Sequence, residues 1–422
     1  MVLCKPTAVG KANSHRAYAR AGMNSVRAVP WLLRWICCCA LLCLTATAPV
    51  SAEQARTAAQ PRSIARRVAL GDLPLNLLLV PDGYIVSTNS GYARQYLQAF
   101  DERRGIITDK LELPSLWYGL AYDPVEQVLL ASSVTDTVYV VPFSHGRFGR
   151  ARAVAIEGCR LTAGIAIQAS PVALVACNQS HSLVQFNYRS ETILRHAATG
   201  EFPFAVLVLP RERVAVSNWG SASVSLLDGS TLETVATLSV GSHPNQMLLI
   251  PQTENLLVAC SDADLLSVLD LHELRETRKV GVRASPGELP GAQPNGLAYD
   301  TKKQKLYVAL ANLRAVAVFD VEKDGDLEFK GRLPVGPYPT ALALVPASGN
   351  LYIANGRNDR TGPNTPLLPS GSYPRIGSLL GGGLSVISSQ QLLEQSKQAL
   401  SHRPVGQATP KTFGARKCPC AA

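Results

Sequence analysis

Short apolar runs of four to six residues, each bounded by Gly, Pro, Asn or Asp, recur along most of this chain. The clearest copy spans residues 235–270, VATLSVGSHPNQMLLIPQTENLLVACSDADLLSVLD. It reads as an outer strand, a Gly-x-x-Pro corner, and three strands separated by polar turns. The runs are too short for helices, and their flanks are turn formers. The same pattern returns about every 40–50 residues, the period of a four-stranded propeller blade. No helical pattern of about 10–15 residues separates the strands, which excludes a doubly wound α/β fold. The fixed internal period disfavours a β-sandwich.

Taken in order, the pattern predicts seven blades over residues 64–388. Innermost strands follow corners at Pro74, Pro203, Pro244, Pro294 and Pro339, with two further blades opening near 118 and 163. The seventh repeat has strands at 340–345, 351–355 and 384–387 and then stops. A propeller left open would expose two sheet edges. An orphan strand, IARRVAL at 64–70, lies one repeat before the first corner and matches VATLSV in register. The fold class expected is therefore all-β, a seven-bladed propeller closed by its N-terminal strand. A short amphipathic helix is expected within 389–402, followed by a disordered basic tail at 403–422.

Charge changes the picture only once it is located. The chain has 422 residues, 46% of them apolar, and a formal charge of +10. Six of its 41 basic residues lie in 1–52 and four lie after His402, where there are no acids. The body keeps 31 basic against 31 acidic residues. A broadly basic binding face is thereby disfavoured, and with it nucleic acid as a partner. Arg27 and Arg34 precede an apolar run over 36–48, and Val50-Ser51-Ala52 fits a small-x-small cleavage site. This predicts an export signal within 1–52, with Met23 as the start, a linker at 53–63, and a periplasmic or secreted mature protein. An uncleaved anchor is the competing reading.

Five cysteines follow the leader: Cys159, Cys177, Cys260, Cys418 and Cys420. An odd number at irregular spacing does not read as a disulfide framework. Cys177 and Cys260 end equivalent second strands, where core thiols are expected.

The second strands LYVAL (306–310) and LYIAN (351–355) resemble the YVTN-type β-propeller repeat family. The corners PNQM and PNGL and the strand endings VLD and VFD fit the same family. The seventh repeat, NLYIANGRNDRTGPNTPLLPSGSYPRIGSLLGGGLSVIS, resembles the last propeller blade of bacterial two-domain proteins. In those proteins a phosphoesterase of the alkaline phosphatase superfamily follows the propeller. About 35 residues follow the insertion here, with no Asp/His-rich constellation, so the family's catalytic residues have no positions to be carried onto. The resemblance implies a propeller acting without its own catalytic half, with a phosphoesterase-type partner.

Two groups of candidate binding residues follow. Propeller ligand faces form where innermost strands begin. Asn76, Asn245 and Asn295 are expected there, with His243 and Tyr338 at adjoining corners; local turn chemistry is the competing reading. The long insertion 356–383 interrupts a compact blade, and such loops tend to be functional. Arg357, Asn358, Asp359 and Arg360 open it, and Tyr373 and Arg375 precede its Gly-rich end. Asp324-Gly325-Asp326 reads as a hairpin turn rather than half a calcium loop, and Asp262 and Asp264 likewise read as turn residues. Nucleophile-elbow, phosphate-loop, zinc-protease and haem-attachment motifs are absent from the sequence. No cofactor or metal is expected. The function expected is a non-catalytic binding or scaffold module. A channel-face hydrolase or lactonase and a single-stranded nucleic-acid binder are the alternatives.

Overall fold

The computed structural model describes residues 65–92, 94–284, 287–357 and 381–394. The expected export signal (1–52), the linker (53–63), the later part of the helix and the basic tail (403–422) lie outside the described residues.

Antiparallel strands fall into seven sheets. Six are built from consecutive strands, as in the first: Pro74–Val80, Tyr84–Asn89, Tyr96–Asp101 and Ile106–Glu112. The second sheet adds a short strand, Arg147–Phe148, that the apolar pattern does not predict. Closure is as expected. The seventh sheet joins Pro339–Leu344, Leu351–Asn355 and Gly381–Ile387 to the N-terminal strand Arg66–Asp72. Val68 lies opposite Leu384, so the last strand in sequence has a partner on both sides. The ring has no open blade edge there, which is how a propeller avoids templating further strands. Residues 389–394 then form a helix, the described part of the one expected.

The core is divided among the gaps between blades. Seven apolar clusters occur, one for each neighbouring pair of blades. Second strands contribute to two gaps at once. Leu130 packs towards the third blade, while Leu129 and Ala131 pack towards the first. Burial on both faces is why these strands read as continuous apolar runs rather than alternating ones. Each such Leu contributes about 1.5–3 kcal/mol through burial.

The cysteines depart from the expectation of unpaired core thiols. Cys159 and Cys177 form a disulfide, with Cα atoms 5.1 Å apart, across the corner of the third blade. The corner folds back along the end of the second strand, where the Asn178 N–H donates to the Leu161 carbonyl at 2.9 Å. That return brings together two cysteines 18 residues apart in sequence. A loop of this length gives about 3 kcal/mol of stabilisation. Cys260, at the matching strand end in the fifth blade, is a buried free thiol whose pKa burial pushes up.

Candidate functional site

Each innermost strand is entered through one residue in the left-handed backbone region. These residues are Leu73, Ser115, Leu161, Phe202, His243, Gln293 and Tyr338, with φ between 47° and 64°. None is glycine, although an L-residue there costs roughly 1–2 kcal/mol. A recurring bond holds the conformation. The carbonyl of each accepts the N–H of the residue just after the second strand, at 2.7–3.2 Å in all seven blades. The corners and the turns between second and third strands therefore share one face of the ring.

Immediately inside each corner the pairing slips. Register shifts fall between Pro74 and Leu77, Pro244 and Met247, and Pro294 and Leu297, with equivalents in the other four blades. Such bulges re-aim side chains. Asn76, Asn245 and Asn295 sit on them, at the corner end of the innermost strands. The Asn245 amide donates to Asn295 Oδ1 at 3.0 Å and also to the Ser261 hydroxyl. Asn76 donates to the Tyr118 carbonyl at 3.0 Å while its Oδ1 accepts the Leu77 N–H at 2.9 Å. Turn chemistry accounts for that last bond. Of the others, Asn245 to Asn295 and Asn76 to Tyr118 tie one blade to the next, which the sequence does not reveal, while the Ser261 bond stays within the fifth blade.

The same face carries a rim of rings. His243 stacks on Trp219 of the preceding blade with centroids 3.8 Å apart and planes 10° from parallel. Its Nδ1 is hydrogen-bonded to Asp262 Oδ2 at 2.6 Å. Next to it, His181 meets Phe202 edge-on at 5.0 Å, and His181 Nδ1 accepts the Phe202 N–H at 3.0 Å. At the root of the insertion, the Arg357 guanidinium lies 4.6 Å from the Tyr338 ring centroid. Tyr92, 79% exposed, adds a further ring from the first blade. Asn358, Asp359, Arg360, Tyr373 and Arg375 lie outside the described residues.

Asp262 and Asp264 are more than turn residues. Asp262 orients His243, and the buried Asp264 carboxylate accepts the Gly291 and Gln293 N–H groups at 2.6 and 3.1 Å, fixing the next corner. Sequence reasoning also missed Trp219, Phe202 and His181. The one available signal was Trp219, a large apolar residue immediately after the strand RVAVSN. Asp324 accepts the Asp326 N–H at 3.1 Å, in the hairpin expected of it.

Inside the bulges lies a cavity of about 400 Å³, walled by the innermost strands of blades one to five. Phe204 of the fourth blade reaches across to Tyr118 and Trp117 of the second, with centroids 4.4 and 5.9 Å apart. Close approach of these strands requires glycine. A Cβ at Gly119 would collide with the Ala163 carbonyl, and one at Gly164 with that of Phe204. Burial pushes the Tyr118 phenol up to about 12. Among the described residues the wall has no carboxylate, imidazole or amine. Among the described residues no three His, Cys, Asp or Glu side chains gather as a metal site.

No family model and no curated protein sequence matches the chain. Solved structures do match. U3-55K superposes with a TM-score of 0.61 at 12% identity, covering 76% of this chain and 98% of that one. The RRP9 WD40 repeats give 0.59 at 12% identity, covering 76% and 96%. Hydrazine synthase of Kuenenia stuttgartiensis gives 0.55 at 18% identity, covering 67% and 93%. The likeness is one of fold. This chain is a seven-bladed propeller with WD40-type structural neighbours.

Proposed function

We propose that this propeller is an exported, non-catalytic module that docks a phosphoesterase-type partner on its corner face. The observation that carries the docking surface is the set of rings around the corner face, one of them at the insertion's root. Trp219 and Phe202 of the fourth blade are 40% and 39% exposed, and Arg357 covers Tyr338 on the seventh blade of the same face. Trp, Tyr and Arg are the side chains that most often anchor protein interfaces. The nature of the partner rests on the resemblance of the seventh repeat. Export is supported by the leader pattern and by the Cys159–Cys177 disulfide, a bond that persists in oxidising compartments. A channel-face hydrolase has less support, because the described residues of the cavity wall supply no general base. Exposed rings also suit single-stranded nucleic acid, yet the body of the chain carries no net positive charge to draw it in.

The test immobilises the purified protein and a variant carrying Phe202→Ala, Trp219→Ala and Arg357→Ala. Each is exposed to periplasmic extract and assayed for retained p-nitrophenyl phosphate hydrolysis. The wild type is expected to retain activity that the triple variant loses by about tenfold or more, as for hot-spot anchors. Retention of no activity, or equal retention by both, rejects the reading.

A further inference from the structure

The cavity inside the bulges has a composition unlike that of the rim. Among the described residues its walls come from Asn, Gln, Tyr, Gly, Met and aliphatic residues, with no formal charge. Each innermost strand is also the edge of its sheet, so one side of its backbone faces the channel without a ladder partner. An uncompensated charge would be penalised by several kcal/mol in such surroundings, whereas neutral groups find donors and acceptors.

Two donors stand out. Gln246 Oε1 accepts the Leu297 N–H at 2.5 Å, which leaves its Nε2 with no partner among the described residues. The Tyr118 ring is held against Phe204, and its hydroxyl likewise has no partner among the described residues. Neither atom is among the fully buried unsatisfied groups, so both reach accessible space. Asn76, by contrast, has its amide engaged on both sides. Aliphatic wall from Leu78, Ile167 and Leu207 surrounds the rest of the space. At about 400 Å³ the cavity falls in the range of small-molecule sites.

We infer that this cavity binds a neutral small molecule with an apolar body and a carbonyl-type acceptor, which the Tyr118 hydroxyl and the Gln246 amide engage together. This site is separate from the corner rim and does not depend on the docking reading.

The experiment uses two probes of similar size on the purified protein, neutral acetanilide and anionic benzoate, followed by saturation-transfer NMR and thermal shift. Acetanilide is expected to bind and benzoate not. Tyr118→Phe removes only the hydroxyl and is expected to weaken acetanilide about three- to tenfold, the range of one lost hydrogen bond. Ala166→Phe, placed on the cavity wall, is expected to abolish binding. Circular dichroism of both variants, with a retained cooperative melt, separates lost binding from lost folding. Equal binding of benzoate, no acetanilide binding at millimolar concentration, or acetanilide binding unchanged by Tyr118→Phe in the folded variant would each overturn the inference.

Discussion

Tyr188 and Asp123 show how much can rest on one side-chain pair. The Tyr188 hydroxyl donates to Asp123 Oδ2 between the second and third blades, where Asp123 is only 1% exposed. Burial works against the carboxylate charge. Hydrogen bonds from Tyr188, Ser170 and the Val125 and Glu126 backbone outweigh it and hold its pKa below the usual range. Tyr188→Phe removes one donor and leaves the charge in place. The expected loss is about 1–3 kcal/mol, read as a lower urea midpoint with an unchanged slope. An unchanged midpoint would mean that water replaces the phenol without penalty. The residue scale is also where the sequence was least legible. Trp219 and His243 belong to neighbouring blades, and His181 reaches Phe202 across a corner. These contacts depend on how one repeat sits beside the next, and no spacing within a repeat encodes that.

At the scale of elements, legibility was high for a physical reason. Strands buried on both faces write unbroken apolar runs, and the turns between them need Gly, Pro, Asn or Asp. The expected strand at 64–70 is observed as Arg66–Asp72, and the expected second strand at 351–355 as Leu351–Asn355. What the pattern could not supply was the short Arg147–Phe148 strand or the disulfide, since neither follows from apolar spacing. Closure yields a sharp prediction. Removing residues 1–64 leaves the closing strand intact, so the melting temperature of that variant should match that of the full-length protein. Removal through residue 72 instead bares the edge of Gly381–Ile387. That variant should lose several degrees of melting temperature and associate through the open edge, seen as a larger species in size-exclusion chromatography. A monomeric, equally stable truncation would show that the strand is dispensable.

For the whole molecule, titration sets the stable window. Hydrogen bonds from Ser230 and Thr231 draw Asp228 down to about 2, and the Arg332 hydrogen bond lowers Glu288. Carboxylates with depressed pKa stabilise the fold above their unfolded values near 4, and that stability is lost as pH falls through the folded values. Partly or fully buried phenols act in the opposite sense. Tyr118 and Tyr352 are pushed up to about 12, chiefly by burial, so their contribution is present below about pH 10 and is lost as pH rises towards 12. Melting temperature should therefore be nearly flat between about pH 5 and 9 and fall on both sides, the alkaline fall tracking tyrosinate absorbance. A melting temperature that climbs between about pH 4 and 2 would contradict this assignment.

The seven left-handed corners carry one last consequence, for redesign. Their backbone is held by a carbonyl bond that involves no side chain, and Leu, Ser, Phe, His, Gln and Tyr all occupy the position. The ring is thus a set of interchangeable sockets: the identity of each plug alters what the face recognises while the scaffold stays the same. A library varied at those seven positions would explore new specificities without having to solve the folding problem again.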